Sequence, residues 1–361
     1  MTETDIRSQP FSLSRADYTA YYFSSYYRAY LTFPMGPVSG LVVILIVAGL
    51  TFGDFTQHHY VKGVLTVLAA IALWMGVIPA IGLATMLRTL SRTPNAYVSR
   101  TAIASGPDFT LEGPGFSNRQ AWRQFRRAIV SRRMIYLILT TGAAMIVRKS
   151  AFATSAECDA FIAACRRHIE DSRDPLAQVF EAPTNATPHP GGIETPPHRI
   201  DFGLFMMLTV FAFARGLARP FTGIVAVGLI GFVAWSNRGH LAAGDYSSLV
   251  SVGIGIVVWV ALFIPGMSLM SWRKVRNTPI IRHPRRLEIT PEQIRVHGEG
   301  FDVAVNWPAV RKINRRFGAI QFWTSQTGSF AVPLSAFAST ADATAFQDQA
   351  SAWWRAARPA S

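Results

Sequence analysis

The chain has 361 residues, half of them hydrophobic and only 16% charged, with a net charge of +14. Charged residues are scarcer than the ~25% of an ordinary soluble domain, which points to a membrane protein with folded portions outside the apolar phase. The positive balance rests on arginine, since the only lysines are Lys62, Lys149, Lys274 and Lys312. It suits anionic lipid headgroups, and cytoplasmic flanks of spanning helices collect the same residues. Nucleic acid is not expected as a partner, because no aromatic platform or recognition motif accompanies the charge.

The chain repeats itself at an offset of 185 positions. Trp122 falls on Trp307, Arg126 on Arg311, Ile135 on Ile320, Val147 on Val332 and Phe161 on Phe346, without a gap. Ser150-Ala151-Phe152-Ala153 falls on Ser335-Ala336-Phe337-Ala338, and Gly113, Gly115 and Phe116 fall on Gly298, Gly300 and Phe301. A period this long excludes a solenoid and indicates duplication of a whole unit.

In chain order, the first 18 residues lack the apolar core of a signal peptide. Residues 14–34 are rich in tyrosine and read as a helix, either along a membrane surface or packed on a folded domain. Val38–Gly53 and Val64–Leu87 are apolar enough for two spans. Arg88, Arg92 and Arg100 follow, so the positive-inside rule puts the N-terminus and residues 90–200 in the cytoplasm. Residues 95–171 read as a small α+β domain. Met134–Val147 is too short to span and its mate Ala319–Val332 is polar, so it reads as a strand pair. Thr154–Asp171 has helical spacing, with Ser155 as a candidate N-cap. Cys158 and Cys165 share one helix face about 10 Å apart, too far for a disulfide; their mates are Ala343 and Ala350, which suggests small core positions.

Residues 172–199 hold six prolines and Gly191-Gly192, and no packed core is expected there. Phe202–Ala214 reads as an interfacial or re-entrant segment. Pro220–Trp235 and Leu249–Met270 read as the third and fourth spans, followed by the basic run Arg273, Lys274, Arg276, Arg282, Arg285 and Arg286. Residues 285–357 repeat the α+β domain, with Ile294/Val296 and Val303/Val305/Trp307 alternating as half-buried strands do.

No HExxH, CxxC, P-loop or GxSxG pattern is present. His58-His59 lack further ligands at metal spacing, so neither metal nor cofactor is expected. Gly36/Gly40, Gly49/Gly53 and Gly253/Gly255 could support close helix packing and oligomerisation. The candidate binding residues are basic: Arg119, Arg123, Arg126 and Arg127 around Trp122, with Arg311, Lys312, Arg315 and Arg316 at the matching place after Trp307. They read either as a surface for lipid phosphates or an acidic protein, or as a solvated face. Trp122 and Trp307 themselves read as core anchors.

Trp122, the following apolar hairpin and the segment Val147-Arg148-Lys149-Ser150-Ala151-Phe152 resemble the YcxB-like family of bacterial membrane proteins. Val332-Pro333-Leu334-Ser335-Ala336-Phe337 resembles the same segment; the first copy keeps its Lys without the Pro, the second its Pro without the Lys. The resemblance implies two spans followed by a cytoplasmic domain similar to bacterial pleckstrin-homology (PH) domains, and no catalytic residue. The fold class expected is therefore membrane α-helical with four spans plus two α+β PH-like cytoplasmic domains, in tandem. Its parts are residues 14–94 (helix and two spans), 95–171 (first domain), 172–199 (linker), 200–279 (segment and two spans) and 280–357 (second domain), in a bacterial inner membrane. The function expected is a non-enzymatic scaffold or regulator that binds a protein partner or anionic headgroups. A transport or lipid-handling role between two parallel two-span repeats, or neutralisation of a membrane toxin, remain the alternatives.

Overall fold

The computed structural model describes residues 5–27, 78–93, 95–141, 143–173, 189–217, 283–325 and 329–358, with scattered positions between them. Two compact units are present. One comprises Met1–Asp17, Thr89–Phe205 and Trp272–Ser361; the other comprises Tyr18–Arg88 and Met206–Ser271.

The order begins with β1 (Ile6–Arg7), α1 (Arg15–Tyr21, continuing as a π-helix over Tyr22–Tyr27) and α2 (Ile78–Ser91). Next come β2 (Thr101–Ala104), β3 (Asp108–Gly113), β4 (Phe116–Ala121), β5 (Phe125–Val130), β6 (Met134–Leu139), β7 (Ala144–Arg148) and α3 (Ser155–Asp171). Then follow β8 (Ile193–Glu194), α4 (Phe202–Leu217), β9 (Arg285–Ile289), β10 (Gln293–Gly298), β11 (Phe301–Asn306), β12 (Lys312–Arg316), β13 (Ala319–Trp323), β14 (Ser329–Pro333) and α5 (Thr340–Ala356).

The first unit is built on one antiparallel eight-stranded sheet in the order β1-β2-β3-β4-β11-β10-β9-β8. Two three-stranded sheets, β5-β6-β7 and β12-β13-β14, complete it. Each half thus runs through four strands, a 3-10 turn, three strands, a second 3-10 turn and a helix. Strands alternate as half-buried strands must: along β10, Ile294 and Val296 are buried while Arg295 and His297 are only partly covered. The second half's core gathers Leu287, Ile289, Trp307, Ile320, Phe322, Val332 and Phe346. α3 and α5 bury Cys158, Phe161 and Cys165, and Ala343, Phe346 and Ala350. Both cysteines are free, and burial pushes the Cys165 thiol well above its usual range.

The two halves meet through β4 and β11, whose register pairs Phe116 with Val305, Asn118 with Val303 and Gln120 with Phe301. Asn118 and Val303 are repeat mates, so the pairing is two-fold about that point. Its flanking hydrogen bonds are mates as well: Ala121 N donates to Gly300 O (2.8 Å) and Asn306 N to Gly115 O (3.0 Å). Gly115 and Gly300 both have φ +79°, a left-handed conformation that costs a side-chain-bearing residue and suits glycine.

The expected four-span fold class is corrected. The described residues are built on three β-sheets with helices beside them, and no helix among them is long and apolar enough to cross a membrane. Of the second expected span, Ile78–Leu87 is described and belongs to α2. Val38–Gly53 and Pro220–Trp235, and most of Val64–Leu87 and Leu249–Met270, lie outside the described residues. Apolar runs alone do not separate a span from a buried element. α4 runs three residues past the expected boundary at Ala214, to Leu217. The N-cap of α3 is Thr154, whose side chain accepts from Glu157 N, with Ser339 doing the same for Asp342 N on α5.

The proline-rich segment also packs at its end. β8 pairs with β9, Thr195 and His198 are buried, and His189 N donates to the buried Glu288 carboxylate at 2.7 Å. β1 does the equivalent work in the first half. Ser8 Oγ accepts from Ala102 N (2.9 Å) as Thr195 Oγ1 accepts from Leu287 N (3.0 Å). This correspondence is two residues out of the main offset, which hides it in a gapless comparison.

Two outcomes are expected. A directly opposed, non-hydrogen-bonded antiparallel pair has its Cα atoms about 4.5 Å apart, within disulfide reach. Asn118→Cys with Val303→Cys in the full chain should therefore oxidise within one chain, giving a faster band on a non-reducing gel and no dimer. Burial, opposed by the Pro196 carbonyl and aided by Arg285, holds the His198 imidazole down to about 4 against its usual 6.5. The folded state then binds fewer protons than the unfolded one between those values, so stability is complete above pH 6.5 and falls as pH drops toward 4. The loss, up to about 3 kcal/mol, should shrink in His198→Gln when urea denaturation is followed across that window.

Candidate partner-binding surface

The basic strands are aimed by the two tryptophans. Trp122 and Trp307 occupy the 3-10 turns Trp122–Gln124 and Trp307–Ala309, where the chain leaves the large sheet for a small one. Each indole Nε1 donates across an equivalent bond of 2.8 Å, Trp122 to Ser105 O and Trp307 to Thr290 O. Trp122 also stacks on His168 of α3, with ring centres 5.0 Å apart. Both indoles are buried, so the direction of β5 and β12 is set by core packing.

The eight basic residues do not form one surface. Arg119 lies on β4 beside Asp302 in the register, on the outer face of the large sheet, and its Nε contacts the buried Asp108 carboxylate at 2.5 Å. Arg123 sits in the 3-10 turn and forms an ion pair of 2.7 Å with Glu299, which precedes Gly300 at the junction of the halves. His283 Nδ1 contacts the other Glu299 oxygen, and Gln124 Nε2 donates to Glu299 O at 3.4 Å. Arg119 and Arg123 are thus junction and sheet-face residues.

Arg126 and Arg127 follow on β5, where the register shifts between Phe125 and Arg127, and both are exposed. Of their mates, Lys312 opens β12 and is exposed, while Arg311 stands just before it and is half-buried. Arg315 Nη1 donates to Thr344 Oγ1 of α5 at 3.1 Å, and Arg316 is exposed at the strand end. β5 and β12 are each the first, edge strand of their small sheet. Their edges are guarded alike: the Arg173 guanidinium donates to Arg126 O, and that of Arg358 to Arg311 O at 2.9 Å. Arg358 lies 4.0 Å over the Trp354 ring. A capped carbonyl blunts an open edge against further strand pairing and leaves the basic side chains as the accessible feature.

Other charged residues of the large sheet are paired. Arg295 holds Asp302 through two nitrogens, at 2.9 and 2.5 Å, and that carboxylate raises the guanidinium further above its usual range. Arg286 and His297 both meet Glu194. Among the described residues no group of three or more His, Cys, Asp or Glu side chains could hold a metal; His58 and His59 lie outside them. The chemistry offered is that of guanidinium and ammonium groups toward phosphate or carboxylate.

Comparison with known proteins bears on the first half. Residues 107–165 match the family model described as YcxB-like protein. The match runs from β3 into α3 and includes Arg119, Arg123, Arg126 and Arg127. No curated protein and no solved structure matches the chain.

Sequence reasoning missed the Arg123–Glu299 pair, which joins residues 176 positions apart. It also missed Arg173 and Arg358, although these stand at the repeat offset. The junction pair is two-thirds or more covered on both sides, so it should contribute about 0.5–1 kcal/mol. A double-mutant cycle of Arg123→Gln and Glu299→Gln under urea should show that coupling, and a coupling of zero would remove the pair from the account of the junction.

Proposed function

We propose that both halves are YcxB-like units with a PH-like arrangement, and that together they form a non-enzymatic scaffold or regulator that recognises an anionic partner. The observation that carries the reading is the recurrence of exposed basic side chains on equivalent edge strands, Arg126-Arg127 on β5 and Lys312 on β12 beside the half-buried Arg311, behind equivalent arginine caps. Half-buried Arg315 and exposed Arg316 extend the second patch. A duplicated unit keeps such a feature at no cost to its core, because these side chains lie outside it. The partner class is an acidic protein segment or a cluster of lipid headgroups, each recognised through phosphate or carboxylate oxygens. The transport alternative rested on four spans and is carried no further.

The test is crosslinking of the full chain in intact cells, followed by identification of what co-purifies. Arg126→Glu, Arg127→Glu, Lys312→Glu and Arg316→Glu together should abolish capture of the anionic partner, since each cation near an anionic surface contributes roughly fivefold in affinity. The melting temperature should stay close to that of the parent, because exposed substitutions rarely disturb a fold. Unchanged capture by the four-fold variant would refute the reading.

A further inference from the structure

The β12–β13 hairpin carries a feature that its own fold does not require. Its two central residues, Phe317 and Gly318, have φ of +55° and +69°. That pair of left-handed residues makes the tight turn favoured between twisted antiparallel strands, where Asn, Asp or Gly normally comes first. A bulky aromatic there is a backbone outlier. Among the described residues Phe317 is the one non-glycine residue with positive φ. The equivalent turn of the first half, Ser131 to Met134, places Arg132 at the matching position without a positive φ. It closes instead through Ser131, whose N and Oγ both donate to Met134 O at 2.8 and 3.1 Å. The same hairpin can therefore be built without the strain. Strain retained where the fold can avoid it points to function.

The surroundings say what that function is. Phe317 is 40% exposed at the end of a hairpin whose base is fixed in the core by Ile320 and Phe322. Gly318 O accepts from Leu334 N at 2.7 Å, which braces the tip, and a Cβ placed on Gly318 meets nothing within 4 Å. The tip is thus stiff and convex. Lys312, Arg315 and Arg316 stand on the strand that leads into it. A protruding aromatic with cations set behind it offers no groove for a peptide, whose recognition uses a concave or edge site. It matches the layered chemistry of a bilayer surface, with apolar material beneath anionic phosphates.

We propose that the Arg316–Ala319 turn is an insertion tip for an anionic lipid surface. Phe317 enters the headgroup–acyl boundary while Lys312 and Arg316 meet phosphates. This rests on the reading that the β12 patch takes an anionic partner, and names lipid as that partner. The test uses the full chain with Phe317→Cys carrying an environment-sensitive fluorophore. The native Cys158 and Cys165 are buried, so the label goes to position 317. Vesicles of phosphatidylcholine with phosphatidylglycerol should blue-shift and brighten the probe, pure phosphatidylcholine should not, and high salt should reverse the change. In the unlabelled chain, Phe317→Gly should raise the melting temperature by relieving the backbone and weaken association with phosphatidylglycerol vesicles about tenfold. An unshifted probe, a Phe317→Gly chain that binds as the parent does, or a lowered melting temperature would each overturn the proposal. If the probe stays silent while charge reversal still abolishes capture of a protein, the lipid tip fails and the anionic-partner reading stands. If charge reversal changes nothing, both fail.

Discussion

The first unit depends on the pairing of β4 with β11. Without it there are two four-stranded sheets, each with an open edge of unpaired backbone groups. With it there is one sheet of eight strands, and both edges that would otherwise be exposed are consumed. The pairing is self-complementary, since equivalent residues Asn118 and Val303 face each other and the flanking bonds exchange equivalent groups. This is the geometry of a two-fold interface, here inside one chain. The left-handed glycines 115 and 300 turn each strand into position, and each lies against the other half, Gly115 near Asn306 and Gly300 near Ala121.

Symmetry of backbone is not symmetry of side chains. Arg119 faces Asp302 across the junction, and Arg123 meets Glu299, while the mates of these residues are Ala304, Ser117, Pro308 and Pro114. A strand paired with its own like would face Arg119 with Ser117 and Asp302 with Ala304. The opposite charges therefore favour the pairing of unlike halves over that of like ones. Around this junction the devices that hold each half are repeated almost atom for atom: the indole-to-carbonyl bond, the hydroxyl cap of the last helix and the arginine on the first carbonyl of the edge strand.

The surface follows from the same layout. The outer face of the large sheet is laced with ion pairs, so its charges are engaged with one another. On the small sheets Arg126, Arg127, Lys312 and Arg316 are exposed. Function is therefore expected at β5, β12 and the turn beyond β12, where the second half departs from the first by placing Phe317 in a conformation its mate avoids.

The sequence by itself determined what is local or repeated. Alternation placed β10 and β11, the polar copy of Met134–Val147 marked it as a hairpin, and the offset aligned Trp122 with Trp307 and the cysteines with small buried alanines. It also located the basic runs, because charge is visible without coordinates. The tertiary structure decided everything that depends on separation in the chain. That the halves share a sheet rests on β4 and β11, 185 residues apart, and no local pattern distinguishes a shared edge from a free one. That β1 and β8 extend the sheet was hidden by a two-residue slip and by prolines that read as linker. Arg119 and Arg123 are engaged by Asp108 and Glu299, which are invisible as partners in sequence. Hydropathy measures only how apolar a segment is, and among the described residues no helix is long and apolar enough to cross a membrane.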